Sequence, residues 1–302
     1  MFEKIVVGYA GDEAGRDAVK LGGRLAAALG ASLTVVYPYS PLLYSVSTET
    51  AETCVRDELQ TLLPAGQELP PVSYRWSSSS WPIHALHGIA ADEDAGLIVL
   101  GAARKGLAAH LHASLMERLV HGAPCAVLVA PAGYADRDDG GWRRIGVGFT
   151  DSPEGRTALR LAHSLAGIFG AELSVLAASW LRPIVRGYAG IAIAVSALEA
   201  DTYTEIRATV ERAVAELDSD TPVSTLTVNG DPCNVLVEQS DKLDLLVLGS
   251  RAYGPLRHAL LGSVSAPVMR EAHCPVLVVP RGARSDASEA DSERATITAG
   301  AG

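Results

Sequence analysis

The chain has 302 residues, 48% of them hydrophobic, and a formal net charge of −10, with a sequence pI of about 5.3. That length suits two domains of about 100–200 residues each, and the apolar content supports a core in both. The acidic balance excludes a general binder of nucleic-acid backbones, which carries a basic stripe; it leaves room for a small nucleotide held by backbone N–H groups.

Taken in chain order, strands alternate with helices. Residues 3–9 are a short apolar, β-branched run, and 13–29 carry helical spacing at Ala14, Ala18, Leu21 and Leu25. A strand at 32–37, a helix at 49–63, a strand at 72–77, a helix at 82–94 and a strand at 97–101 follow. A helix at 112–121 and a strand at 125–130 complete the first half. The stretch 133–142, polar and glycine-rich, reads as a linker. The second half runs strand 144–149, helix 153–169, strand 172–178, helix 197–217 and strand 223–228, then helix 232–241, strand 244–249, helix 263–272 and strand 275–279. Between them, 180–196 reads as a long apolar loop with Gly187 and Gly190, suggesting a flap or contact surface. Nearly continuous apolar strands imply helices on both sheet faces, and the alternation implies parallel, right-handed, doubly wound α/β sheets. The Ser/Glu/Ala-rich tail, 283–302, has little to bury and is expected to be disordered.

The two halves repeat one another. Lys4-Ile5-Val6-Val7-Gly8-Tyr9 returns as Arg144-Ile145-Gly146-Val147-Gly148-Phe149, an offset of 140 that also joins Gly15-Arg16 to Gly155-Arg156 and Gly30-Ala31 to Gly170-Ala171. Leu97-Ile98-Val99-Leu100-Gly101 returns as Leu245-Leu246-Val247-Leu248-Gly249, and the strand after Cys125 returns after Cys274. A repeat of this length means two related domains, expected at 1–132 and 143–282.

The chemistry concentrates where the strand ending at Gly249 passes through Ser250-Arg251-Ala252 to a helix beginning near Gly262-Ser263. Ligands of open α/β sheets sit beyond the carboxyl ends of the strands, at the switch in strand order. A helix start there offers unpaired N–H groups and a positive dipole end. Gly262 admits a phosphate to the backbone, Ser263 and Ser265 offer hydroxyls, and Arg251 or Arg257 can neutralise charge. The competing reading is a plain helix N-cap at Ser263.

On these residues the chain resembles a tandem member of the universal stress protein family, whose nucleotide motif is Gly, two residues, Gly, nine residues, Gly, then Ser or Thr. Gly249, Ala252 and Gly262-Ser263 match that spacing, with Ala252 replacing the middle glycine. The resemblance covers nearly all of residues 3–282. It implies two Rossmann-like (adenine nucleotide α-hydrolase-like) domains, each a five-stranded parallel sheet of order 3-2-1-4-5 flanked by helices. It also implies ATP binding, with or without Mg2+. Through the family, Ser263, Val264 and Ser265 fall in the phosphate-binding run, and Ala178 at the end of the second strand matches a main-chain contact to adenine. Family members that bind ATP carry an Asp just after the first strand; Thr150 stands there, and Asp151 follows. Either Asp151 takes the contact through a shifted loop, or Asp151-Ser152-Pro153-Glu154 is simply a helix start with Pro near N1. A pseudo-dimer within the chain, meeting along 125–130 and 275–279, follows from the resemblance, with a further homodimer left open.

The first copy departs further. Arg104 stands in place of the middle glycine, eight residues separate it from Ala113-Ser114, and Ala10 stands where the Asp belongs. A shortened loop without glycines cradles a triphosphate poorly, so the first domain is expected to be degenerate; a different anion site at Arg104, Lys105, His110 and His112 is the minor alternative. His84 and His87 have a spacing compatible with metal ligation but no companion ligand, and read as surface or half-buried residues. Tyr39, Tyr44, Tyr188 and Tyr203 read as packing residues. Ser78-Ser79-Ser80 lacks a nucleophile elbow, and no lysine-bearing P-loop occurs. The four cysteines form no C-x-x-C pair and read as reduced thiols. No run approaches the about 20 apolar residues of a membrane span, and no secretory signal is visible. The expectation is a cytoplasmic stress-response or regulatory protein that binds an adenine nucleotide and an unknown protein partner, with neither membrane nor nucleic acid involved. ATP hydrolysis is at most slow, for want of a water-activating base. The rivals are a nucleotide-independent scaffold and, more remotely, an ATP-using enzyme.

Overall fold

The computed structural model describes residues 1–38, 48–62, 69–77, 82–102, 116–137, 141–180, 189–217, 221–250 and 263–279. The described residues divide into two compact units, one of 1–137 with 277–279 and the other of 141–250 with 263–276.

In the first unit the elements are β1 (Lys4–Gly8), α1 (Glu13–Leu29), β2 (Ser32–Pro38), α2 (Thr48–Leu62), β3 (Val72–Ser77), α3 (Pro82–Asp92), β4 (Leu97–Gly101) and β5 (Ala126–Ala130), with helical residues at 116–120, α4. The strand order is β3-β2-β1-β4-β5, with parallel register at every pair. Ile5, Leu21, Leu33, Leu97, Ile98 and Leu128 are fully enclosed, so the core is filled by side chains from the strands and from the inner stripe of α1. Gly30 ends α1 in the left-handed region at φ 66°, its N–H donating to Ala26 O; glycine takes that backbone without steric cost.

The second sequence repeat follows the same plan with β6 (Arg144–Gly148), α5 (Pro153–Phe169), β7 (Glu172–Ser179), α6 (Ala189–Ala215), β8 (Val223–Asn229), α7 (Pro232–Ser240), β9 (Leu245–Gly249), α8 (Ser265–Glu271) and β10 (Val276–Val279). Its strands follow β10-β9-β6-β7-β8. β6 lies parallel to β7 on one side and β9 on the other, and Leu246 N donates to Pro275 O at the approach to β10. The fold is thus α/β with two Rossmann-like repeats, as the sequence predicts. Gly170 caps α5 at φ 60° just as Gly30 caps α1.

Two expectations change. The segment 180–196 is not loop throughout, because α6 starts at Ala189. Gly190 reads as a breaker, yet one glycine costs a helix only about 1 kcal/mol, and the Ala/Ile run after it offsets that. Residues 181–188 lie outside the described residues, as do Tyr39, Tyr44 and Tyr188, Ser78-Ser79-Ser80, Arg104 to Ala113, and the tail. Secondly, residues 133–137 of the linker stretch hold a 3-10 turn at Tyr134–Asp136, with Tyr134 and Ala135 buried.

Candidate functional site

The candidate site lies at the carboxyl edge of the second sheet. Gly148 pairs with Leu176 on β7 and with Leu248 on β9, so Thr150, Ala178 and Ser250, each two residues further on, fall at one level of that edge. β6 is flanked by β7, which follows it in the chain, and by β9, which does not; this is the switch in strand order, the place where open α/β sheets bind ligands.

On the β6 side the turn is tight. Ser152 is the N-cap of α5, its Oγ accepting from Gly155 N at 3.1 Å, with proline following in the first turn. Thr150 O accepts from Ser152 N at 2.8 Å and faces Gly155 so closely that a Cβ there would meet it at 2.0 Å. Asp151 is exposed and bound elsewhere: its Oδ1 accepts from Arg156 Nε at 2.8 Å, while Arg156 Nη1 reaches Glu216 Oε2 at 2.8 Å. The bond to Asp151, then its charge and that of Glu216, hold the Arg156 guanidinium above its ordinary value. A helix start at Asp151-Ser152-Pro153, one of the two alternatives read from the sequence, is present in the local geometry, and the exposed Thr150 has its Oγ1 3.5 Å from Ser152 Oγ.

On the β9 side, a Cβ on Gly249 would lie 2.8 Å from the carbonyl of Glu154, in the first turn of α5. Gly101, its counterpart in the first unit, faces Ala14 O at 1.8 Å in the same sense. The first motif glycine thus serves helix–strand approach in both units, and its presence in the first copy does not signal a ligand site. Ser250 is fully buried, and its Oγ has no hydrogen-bond partner among the described residues. α8 begins at Ser265, with Val264 in the N-cap position and no side-chain cap. Ser263 is exposed and lies before the helix; Val264, between Ser263 and Ser265, already has right-handed helical dihedrals at φ −100° and ψ −47°. Ser265 Oγ donates to Gly249 O at 3.4 Å, which ties the start of α8 to the end of β9.

The sequence did not single out Cys233 for this region. Asp231 Oδ1 caps α7 by accepting from Cys233 N and Asn234 N, and Cys233 Sγ donates to Ser263 O at 3.5 Å. Burial first, then the neighbouring Asp231 charge, raise the Cys233 thiol and keep it protonated. The Asp-Pro pair before Cys233 is the signal for this cap. Ala178 pairs in register with Val228, and β7 runs one residue past it to Ser179, whose O accepts from Gly230 N at 3.0 Å. Arg251, Ala252, Arg257 and Gly262 lie outside the described residues.

The matching edge of the first unit is filled differently. Tyr37 stacks on Trp76 at 4.4 Å and 16°, and Tyr9 meets Tyr37 edge-on at 5.2 Å. The repeat offset puts Phe149 and Ala177 at the places of Tyr9 and Tyr37, and Thr227, paired with Ala177, at that of Trp76. Three rings thus stand at positions where the second repeat has one, Phe149.

Away from these edges, His84 is exposed and His87 half-buried, with His87 Nε2 on Leu119 O at 2.6 Å. Among the described residues no group of three or more His, Cys, Asp or Glu could hold a metal, and no helix is long and apolar enough to cross a membrane. Tyr203 packs α6 on the sheet, its OH donating to Thr227 O at 3.2 Å.

The fold defines a tandem Rossmann-like protein with a strand switch point in its second repeat. The universal stress protein family model matches residues 1–131 and again 141–280, and the chain belongs to the universal stress protein family, as a two-repeat member. Among relatives, Universal stress protein Rv2005c of Mycobacterium tuberculosis is 33% identical over 188 residues, which is 61% of this chain and 62% of that protein. The chain thus spans about three fifths of the length of that relative. Universal stress protein Rv2319c of the same organism is 26% identical over 291 residues, covering 91% and 99%. The crystal structure of a functionally unknown protein from Pseudomonas aeruginosa PAO1 aligns with a TM-score of 0.63 at 18% identity, covering 97% and 98%, a likeness of fold.

Proposed function

We propose that the second repeat, with boundaries near 143 and 282, binds ATP or a related adenine nucleotide, with or without Mg2+, in a cytoplasmic stress-response protein. The first repeat, near 1–132, is degenerate. The observation that carries this reading is the convergence of Thr150, Ala178, Gly249 and the side-chain-uncapped start of α8 at one switch point. Unpaired N–H groups at a helix start favour an anion, and the Ser263 and Ser265 hydroxyls and the Ser250 Oγ supply further polar atoms. Arg251 and Gly262 would complete the phosphate side. With Asp151 held by Arg156, the contact after the first strand passes to Thr150. No group in this set is placed to activate water, so turnover is slow or absent and binding acts by changing loop shape or partner contacts.

Titrating ATP and Mg2+ into the whole chain by calorimetry tests this, beside a Gly262→Asp variant that puts a carboxylate against the phosphates. One site per chain, lost in the variant, supports the reading. No heat and no binding in either protein favours the nucleotide-independent scaffold, to which the engagement of Asp151 by Arg156 is already suited.

A further inference from the structure

The first helix carries two buried charges that no part of the nucleotide reading uses. Asp17 and Lys20 on α1 are 2% and 6% exposed. Both address main-chain atoms more than a hundred residues away. Asp17 Oδ2 accepts from Gly133 N at 2.8 Å, and its Oδ1 accepts from Ala135 N at 2.6 Å. Lys20 Nζ donates to Ala135 O at 3.1 Å and to Arg137 O. The Lys20 ammonium also stands 5.7 Å from the centre of the Tyr134 ring, and Arg24 Nη1 reaches the Tyr134 hydroxyl at 3.4 Å. Positions 17, 20 and 24 are spaced as one face of a helix, so a single stripe of α1 grips the turn that follows β5.

Repetition supplies an independent observation. The offset of 140 puts Thr157, Arg160 and Ser164 at the places of Asp17, Lys20 and Arg24. Among the described residues, Thr157 Oγ1 donates to Pro153 O and Arg160 Nη2 to Thr157 Oγ1, both local and exposed. The second repeat does not carry the Asp–Lys pair at those positions. Burying an acid and an amine is costly unless each is well bonded, so the stripe is retained in the first repeat for the segment it grips and not for the helix.

We propose that residues 133–137 are a clasped strap: a segment that α1 locks through Asp17 and Lys20 and that opens as a local unit when either charge is removed. Because these bonds go to backbone atoms, the clasp reads the shape of the turn, and the same face of α1 also meets the Tyr134 side chain. It leaves only residues 138–141 between the clasped turn and Trp142, which is buried in the second unit.

Trypsin reports on the strap directly, because the Arg137 carbonyl is both the group Lys20 holds and the bond trypsin cuts. The whole chain is digested under native conditions and the fragments are weighed, for wild type, Lys20→Met and Asp17→Asn. Cleavage after Arg75, in β3, serves as the reference for global opening. The strap predicts cleavage after Arg137 at least ten times faster in both variants than in wild type, with the Arg75 rate unchanged. A wild-type measurement stands beside it: the Gly133 and Ala135 amides exchange with deuterium as slowly as the core of α1. Three results would overturn the proposal. They are an Arg137 bond already cut freely in wild type, variants in which cleavage after Arg75 rises in step with cleavage after Arg137, and fast exchange of the two amides.

Discussion

Alanine at Gly155 and alanine at Gly167 are the same substitution in the same helix, and the structure predicts opposite signs. Helix propensity alone favours both by about 0.5–1 kcal/mol, because glycine loses the most backbone freedom on folding. At Gly167 an added Cβ meets nothing closer than Thr221 Oγ1 at 3.7 Å, an ordinary contact, so the gain should be kept. At Gly155 the new carbon would stand 2.0 Å from Thr150 O and about 3.1 Å from Thr150 C. The β6–α5 turn must then move by about 1 Å or more, against the Ser152 N to Thr150 O bond. Overpacking of this kind costs about 1–3 kcal/mol or more, so Gly155→Ala should lose about 1–3 kcal/mol net while Gly167→Ala gains about 0.5–1 kcal/mol. Urea titration with hydrogen exchange of peptides from 144–179 reads the second unit separately from the first. A Gly155→Ala protein as stable as wild type, or a Gly167→Ala protein that loses as much, would refute the packing argument. Since the displaced atom belongs to Thr150, the Gly155 variant should also bind nucleotide more weakly.

Burial raises the Cys125 thiol from 9.0 to about 12. The unfolded chain therefore gives up that proton first, and stability should fall as pH rises from about 9 toward 12. In Cys125→Ala the urea midpoint should fall less steeply over that window; an unchanged slope would count against the burial. At pH 8 a thiol reagent should label half-exposed Cys233 ahead of buried Cys125 and Cys274, as mass spectrometry of the labelled peptides can show. His87 is held below its ordinary value by burial, partly offset by its bond to Leu119 O and reinforced by His84. Its unfolded form takes up a proton first as pH falls below about 6.5, so acid should cost stability there. His87→Phe should be less stable at pH 7, with its Leu119 carbonyl left unbonded, but flatter between pH 7 and 5 by thermal denaturation; an equally steep acid loss would place its source elsewhere.

Local signals in the sequence were enough for the strands and most helices. β-Branched runs such as Lys4-Ile5-Val6-Val7 cannot be confused with the Ala/Leu stripe of α1. Gly30, Gly170 and Ser152-Pro153 mark helix ends with residues chosen for backbone geometry. The start of α6 was hidden because Gly190 looks like a breaker until the helix formers after it are weighed. The start of α8 was less legible, because serine is a good N-cap anywhere and Ser263 and Ser265 stand two residues apart. Contacts between distant residues left no local trace. Nothing around Asp17 or Lys20 announces that both address residues 133–137, and nothing around Gly101 or Gly249 distinguishes a glycine that admits a helix from one that admits a phosphate. The pairing of Asp151 with Arg156, five residues away, was open to reading, since charges at that distance across a helix start can meet.

The most direct measurement is hydrogen exchange of the whole chain with and without saturating ATP and Mg2+. A nucleotide at the second switch point should slow exchange in peptides covering 148–152, 176–180, 245–250 and 263–268, and leave 8–12 and 97–102 of the first unit unchanged. Equal protection of both sets would contradict the degeneracy of the first repeat. No protection in either would contradict the nucleotide site itself.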